Sequence, residues 1–169
     1  RVFPDCEVVC LPVSDGGEGM LDVLIAATTG KSILVTAHDP LMRLRDARYG
    51  ISGDGQTAFI EMATISGLPL LSIEERNPLL TTTYGTGELI RDALERGCRN
   101  FILGLGGSAT NDAGLGMLQA LGFRFFAEDG TEPGAIDAKQ ETGGLCGRYL
   151  STITSIDTTQ TNPALKEAR

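Results

Sequence analysis

Three glycine-bearing turns gather the side chains of this sequence that could do chemistry. Ser14-Asp15-Gly16-Gly17-Glu18-Gly19 sets two carboxylates around a glycine pair, and Thr81-Thr82-Thr83-Tyr84-Gly85-Thr86-Gly87-Glu88 stacks hydroxyls. Gly104-Leu105-Gly106-Gly107-Ser108-Ala109-Thr110-Asn111-Asp112 adds hydroxyl, amide and acid groups beside adjacent glycines. An acid in such a turn can hold Mg²⁺ or accept a proton from a substrate hydroxyl. Hydroxyls and unpaired N–H groups suit phosphate or carboxylate oxygens, and glycine lets such an anion approach the backbone. Each turn precedes a helical pattern, whose N-terminus offers unpaired N–H groups and partial positive charge.

Each turn also has a purely structural reading. Asp15 can N-cap the helix that follows, with Glu18 completing a box-like arrangement. The threonines of the second turn can cap theirs, Thr86 being the N-cap the pattern suggests. In the third, Gly104, Gly106 and Ala109 fit GxGxxA, a dinucleotide fingerprint, with Glu128 and Asp129 near the place of a ribose-binding acid. Against that stand Ser108, Thr110, Asn111 and Asp112, polar side chains that pyrophosphate recognition by bare backbone does not need. Gly-Leu-Gly-Gly-Ser-Ala also echoes a phosphate loop of another small-molecule kinase superfamily, without its surrounding pattern, and no GxxxxGK[ST] occurs. Together the turns point to a small anionic or phosphorylated ligand, with a metal.

The elements that must position these turns follow from apolar spacing. Residues 7–13 (EVVCLPV) predict a strand, 20–28 a helix stopped at Gly30, and 32–37 a second strand. Residues 45–62 predict a hairpin turning at Asp54-Gly55. Leu89, Ile90, Ala93 and Leu94 make the stripe of a helix that Gly97 closes. Residues 101–105 predict a strand, 110–121 a helix stopped at Gly122, 123–127 a strand ending at Asp129-Gly130, and 150–157 a last strand after an irregular stretch. Alternating strands and helices with one hairpin predict an α/β fold with a mixed sheet.

The 169 residues suffice for one ordinary domain or two small ones. At 41% hydrophobic and 21% charged, the composition is that of a globular protein. A net charge of -8 argues against nucleic acid or an anionic membrane as partner. Cys6, Cys10, Cys98 and Cys146 form no CxxC pair and His38 is the single histidine, so no zinc constellation is legible. Scattered thiols, and the absence of an apolar run of about 18 residues, predict a cytoplasmic protein. Cys10 and Cys98 read as core, His38 as a turn residue before Asp39-Pro40, and Arg43, Arg45 and Arg48 as a solvated strand edge. The first residue is not Met and the last run, Pro163 to Arg169, is helix-like, so a piece of something larger is expected.

PVSDGGEGMLDVL, GISGDGQTAFIEMA, LLTTTYGTGELI and GLGGSATNDAGLGMLQALG resemble the bacterial glycerate kinases of the glycerate 2-kinase type. The resemblance runs from about Val8 to Leu165. It implies ATP-dependent phosphorylation of D-glycerate to 2-phosphoglycerate, with Mg²⁺. It further implies two α/β domains around a cleft, one Rossmann- or flavodoxin-like and built from both chain ends, the other inserted into it. Residues 1–40 then belong to the first, incompletely, and 41–169 to the insert. The family's Asp-Ser-Phe/Tyr-Lys motif falls before Arg1, and its Cys-Asp-Val-Thr/Asn-Asn-Pro-Leu, glycine-alanine-rich and Thr-Gly-Glu-Gly segments fall after Arg169. A chain spanning a little under half of a member is expected to be catalytically silent alone.

By that resemblance Asp15 and Glu18 become substrate or Mg²⁺ contacts, joined by Ser14. Ser108, Thr110, Asn111 and Asp112 become glycerate or phosphate contacts. Thr83, Gly85, Thr86 and Gly87, with Gly16, Gly17, Gly106 and Gly107, become phosphate- or nucleotide-facing. Asp15 or Asp112 takes the hydroxyl proton, and the sequence does not choose between them. Two other readings stay open: a non-catalytic glycerate- or nucleotide-binding module, and a nicotinamide oxidoreductase domain.

Overall fold

Period-two alternation of apolar side chains builds a four-stranded mixed sheet in the computed structural model, which describes residues 7, 9, 10, 12–135 and 143–169. In chain order the elements that matter are helix α1 (Met20–Ala27), strands β1 (Lys31–His38), β2 (Leu44–Ile51) and β3 (Thr57–Glu61), and the short helix α2 (Ala63–Ser66). There follow helix α3 (Tyr84–Glu95), strand β4 (Asn100–Gly104), helix α4 (Leu115–Ala120), and strands β5 (Arg124–Ala127) and β6 (Ile153–Asp157).

The sheet order is β1-β2-β3-β4. The first three strands are antiparallel, and β4 lies parallel to β3 after the crossover through α2 and α3. The expected hairpin is present: Asp54-Gly55 turns the chain, with Gly55 at φ 75° and Asp54 Oδ1 accepting from Ser52 Oγ and the Gln56 N–H. The β1–β2 ladder runs from Lys31↔Ile51 to His38↔Leu44. It therefore spans position 40, and β1 shares one sheet with the strands that follow.

One face of the sheet carries Ala47, Tyr49, Ile51, Ala58 and Ile60, which pack on Leu89, Ile90, Ala93 and Leu94 of α3. A side chain buried as fully as Ile60 or Leu89 contributes about 1.5–3 kcal/mol. The Tyr49 hydroxyl, in that core, donates to Asp92 Oδ2 at 2.6 Å. The opposite face takes α1, which lies against β2 and β3, with Leu21 and Ile25 packed over Gly50. A two-stranded antiparallel sheet, β5–β6, closes over a smaller cluster of Leu115, Phe125 and Leu145.

Several expectations are corrected. Glu7, Val9, Cys10, Pro12 and Val13 form no strand, Val9 and Val13 being 73% and 87% exposed; Val8 and Leu11 lie outside the described residues, as does Cys6. Cys10 is exposed rather than core, while Cys98 and Cys146 are buried. His38 ends β1 instead of making a turn. Its backbone N–H donates to Glu88 at 2.8 Å, and its Nδ1 lies 3.0 Å from both Glu88 oxygens. Arg43, Arg45 and Arg48 are exposed, as expected, with Arg43 bonding Asp39 and Glu75 and Arg48 bonding Asp22 at the surface. The helix expected over 110–121 starts only at Leu115, because Ala113 and Gly114 take left-handed φ values of 51° and 76°. Asp112 drives that delay by accepting the N–H groups of Gly114 and Gly116 with its side chain. The last strand is confined to Ile153–Asp157. No helix among the described residues is long and apolar enough to cross a membrane.

Candidate functional site

The first and third glycine turns meet through bare backbone. The Gly106 N–H donates to the Gly16 carbonyl at 3.1 Å, and a Cβ on Gly106 would lie 2.6 Å from Gly17 Cα. No side chain fits on Gly106, while Gly16 needs glycine for its positive φ of 90°.

Within the first turn, Ser14 Oγ accepts the Gly16 N–H at 3.3 Å and Asp15 Oδ1 the Gly17 N–H at 3.0 Å. The N-cap of α1 is Gly19, at φ 92°, so Asp15 and Glu18 do not form the cap or box the sequence allowed. Donors at the start of α1 are occupied from elsewhere: Met20 N–H by the Gly17 carbonyl and Leu21 N–H by Glu61 Oε1 at 2.6 Å. The turn therefore presents carboxylates rather than an open row of N–H groups. Ser14, Asp15 and Glu18 are exposed.

In the third turn, Ser108, Thr110 and Asn111 line a cavity of about 330 Å³ with Met62, Leu105 and Met117. That is the volume of a small-ligand pocket. Ser108 Oγ and Thr110 Oγ1 are 2.9 Å apart, and Ser108 Oγ accepts the Thr110 N–H. Asn111 is exposed and Gly107 carries a positive φ of 72° at the surface. Asp112 also lines this cavity but is only 1% exposed. Its Oδ2 accepts from Thr83 N–H and Thr83 Oγ1, each at 2.8 Å, and from Gly116 N–H at 3.2 Å; its Oδ1 accepts from Gly114 N–H at 3.1 Å.

The second turn stands behind the third. Thr81 donates to the Ala109 carbonyl, Thr82 to the Leu145 carbonyl, and Thr83 Oγ1 accepts the Met117 N–H. Helix α3 starts at Tyr84, and Thr86 lies inside it, buried and 2.8 Å from Ser66 Oγ. Gly85 and Gly87 are packing contacts: a Cβ on either would lie within 2.3 Å of the carbonyl oxygen of His38 or Met117. Thr83, Gly85, Thr86 and Gly87 thus turn inward, and of these only Thr83 reaches the cavity wall. The structure brings the three turns together but points only the first and third outward.

The dinucleotide fingerprint does not survive the geometry. Its glycines should open a helix, yet α4 begins six residues after Ala109, and the Gly106 N–H is already committed to Gly16. Among the described residues no three His, Cys, Asp or Glu side chains gather as a metal site. The Asp15 and Glu18 carboxylates match the needs of Mg²⁺, which takes one or two protein carboxylates and completes its shell with water and phosphate oxygens. Sequence reasoning missed Glu61. Its signal was a lone acid on a strand otherwise reading Ala58-Phe59-Ile60.

The glycerate kinase family profile matches residues 1–169. Glycerate kinase of Haemophilus influenzae is 50% identical over 167 residues, covering 99% of this chain and 42% of that protein. Glycerate 2-kinase of Escherichia coli K12 is 48% identical over 167 residues, covering 99% of this chain and 41% of that protein. A crystal structure named for glycerate kinase 2 of Salmonella typhimurium LT2 superposes with a TM-score of 0.83 at 42% identity, over 98% of this chain and 42% of that one. The chain thus spans about two-fifths of the length of the relatives it matches.

Proposed function

The chain belongs to the glycerate kinase family, and from that premise we propose that the protein carrying it phosphorylates D-glycerate to 2-phosphoglycerate with Mg-ATP. The observation that carries the reading is the backbone contact between Gly16 and Gly106. It joins a turn of exposed carboxylates to the turn whose Ser108, Thr110 and Asn111 put hydroxyl and amide groups into a largely apolar cavity, and carboxylates and such groups are the two chemistries that phosphorylating a hydroxy acid requires.

Asp15 is the proton acceptor in this reading. A carboxylate offers about four lone-pair positions. Asp112 spends that many on Thr83, Gly114 and Gly116, and it is buried. Asp15 accepts one hydrogen bond within its own turn and keeps the rest of its carboxylate exposed. Ser108, Thr110 and Asn111 hold the glycerate hydroxyl and carboxylate oxygens in the cavity, and the exposed Ser14 adds a further substrate contact from the first turn. Gly107 lets phosphate oxygens come close to the backbone of the third turn. Asp15 and Glu18 are the residues that would hold Mg²⁺, which would supply neutralisation of charge on the phosphoryl oxygens. The second turn serves by support: Thr83 fixes Asp112, and Asp112 fixes the backbone from which Asn111 projects.

We place the reaction in the cytoplasm, where ATP is at hand and thiols such as Cys10, Cys98 and Cys146 stay free. The test is ADP release by the intact natural protein with D-glycerate and Mg-ATP, followed by phosphorus NMR of the product. Absence of ADP release removes the reading. A phosphorus coupled to the CH₂ protons of the product moves the reaction to the 3-hydroxyl.

A further inference from the structure

We propose that Glu61 is a positioning residue of this phosphoryl-transfer site, holding the Ser14–Gly19 turn in register with the Gly104–Gly107 turn. The proposal rests on the kinase reading for its activity arm alone. Glu61 is the last residue of β3, 3% exposed, in the middle of the sheet. A charged side chain is rarely so buried without a specific partner. Its partner is the backbone of another element: Oε1 accepts the Leu21 N–H at 2.6 Å, in the first turn of α1. A carboxylate facing the positive end of a helix and a main-chain donor makes a charge-assisted bond.

The same residue is tied to the third turn through its backbone. Glu61 pairs with Gly104 in the parallel β3–β4 ladder, and the next amide, Met62 N–H, donates to the Gly104 carbonyl at 2.9 Å. Thr64 Oγ1 donates to the Glu61 carbonyl and holds the strand end in place. Gly104 is where β4 gives way to the Gly106-Gly107 turn, and Met20 is where the Asp15–Glu18 turn gives way to α1. One carboxylate therefore bridges the root of one turn to the root of the other, on the far side of the Gly16–Gly106 contact. The two turns are fixed at two points, so Asp15 and Glu18 cannot shift along the cavity wall as a unit. Geometry is what this role requires; charge at Glu61 is secondary to reach.

The experiment compares Glu61→Gln, Glu61→Asp and Glu61→Ala in the intact natural protein. It reads kcat and KM for D-glycerate, and amide exchange over residues 14–21 with α3 as internal reference. Glu61→Gln keeps an oxygen acceptor at full length and is expected to hold kcat within about threefold. Glu61→Asp keeps the charge but is one methylene short; kcat is expected to fall about ten- to hundredfold with KM within about threefold, because a displacement near 1 Å costs rates of that order. Exchange over 14–21 quickens in Glu61→Asp and not in α3. If Asp outperforms Gln, the role is one of charge and the proposal is overturned. Exchange that quickens equally in α3, or wild-type kcat with unchanged exchange in Glu61→Ala, also overturns it. Should Glu61→Ala fail to fold, the Gln and Asp pair still decides. If the wild-type protein shows no turnover of D-glycerate the kinase reading falls, and the exchange arm still judges the positioning.

Discussion

Thr83 reaches one oxygen of Asp112 twice, its backbone N–H and its hydroxyl each donating to Oδ2 at 2.8 Å. The pair ties the first residues of α3 to the turn that precedes α4, and Gly114 and Gly116 complete the carboxylate's partners. A group committed in this way is architectural before it is chemical.

Asp112→Ala is expected to cost stability. The substitution strands buried donors on Thr83 and Gly116, and each unsatisfied buried donor costs about 1–3 kcal/mol. A total loss of about 2–4 kcal/mol is expected, read as a lower urea midpoint at unchanged m-value. An unchanged midpoint with lost turnover would return Asp112 to the list of proton acceptors.

Asp15→Ala should behave in the opposite way. Asp15 is exposed and makes one hydrogen bond within its own turn, so its removal is expected to shift stability by no more than about 0.5 kcal/mol. As proton acceptor it is worth about 10²–10⁴ in kcat. Steady-state kinetics on the intact protein checks this, and a kcat within tenfold of wild type would remove Asp15 from that role.

Gly106→Ala and Gly55→Ala make a matched pair. A Cβ at Gly106 meets Gly17 backbone atoms at 2.6 and 2.9 Å, whereas at Gly55 nothing lies within 4 Å and only the φ of 75° is strained. Gly106→Ala is expected to cost about 1–3 kcal/mol and to part the first turn from the third, lowering kcat as well. Gly55→Ala is expected to lose stability from strain, by about 1 kcal/mol, with kcat per folded molecule unchanged. Equal kcat values for the two variants would mean the Gly16–Gly106 contact does not hold the site.

The elements that the sequence made legible are those decided by local spacing. The Asp54-Gly55 hairpin and the Leu89, Ile90, Ala93, Leu94 stripe are read directly, because period and turn chemistry are local. What stayed hidden depended on contacts distant in sequence. Helix α4 started late because Asp112 offered its N–H groups another partner, and Thr86 was buried by Ser66, twenty residues away. Glu61 drew no notice in the sequence because nothing near it in the chain shows that α1 returns over that face. At the site, glycine and carboxylate types marked the turns that the structure brings together, but only the packing of Gly85 and Gly87 showed that the second faces inward.

Acid sensitivity should trace in part to Asp92. Partial burial pushes its carboxyl up, but hydrogen bonds from Arg96 and Tyr49 outweigh that and hold it below the usual aspartate value. A carboxylate with a depressed folded pKa stabilises fully above its unfolded value, about 3.9, and loses that contribution as pH falls through the lower folded value. Urea midpoints of wild type and Asp92→Asn are therefore expected to differ most near neutrality and to converge below about pH 4. A gap that stays constant from pH 7 to pH 3 would rule this linkage out.

Asn111→Ala separates binding from support. Asn111 is exposed on the cavity wall and its side chain has no hydrogen-bond partner among the described residues, so truncation is expected to leave stability within about 0.5 kcal/mol. If its amide holds an oxygen of glycerate equally in ground and transition states, KM for D-glycerate rises and kcat stays. The size follows from one hydrogen bond to a charged group, about 1.5–3 kcal/mol, which is a rise in KM of about 10- to 150-fold. KM for Mg-ATP should not move, since the cavity that Asn111 shares with Ser108 and Thr110 is assigned to the acceptor. A rise confined to the nucleotide KM would exchange the two occupants of the site, placing phosphate oxygens where glycerate is drawn and sending the hydroxy acid to the Asp15 side of the Gly16–Gly106 contact.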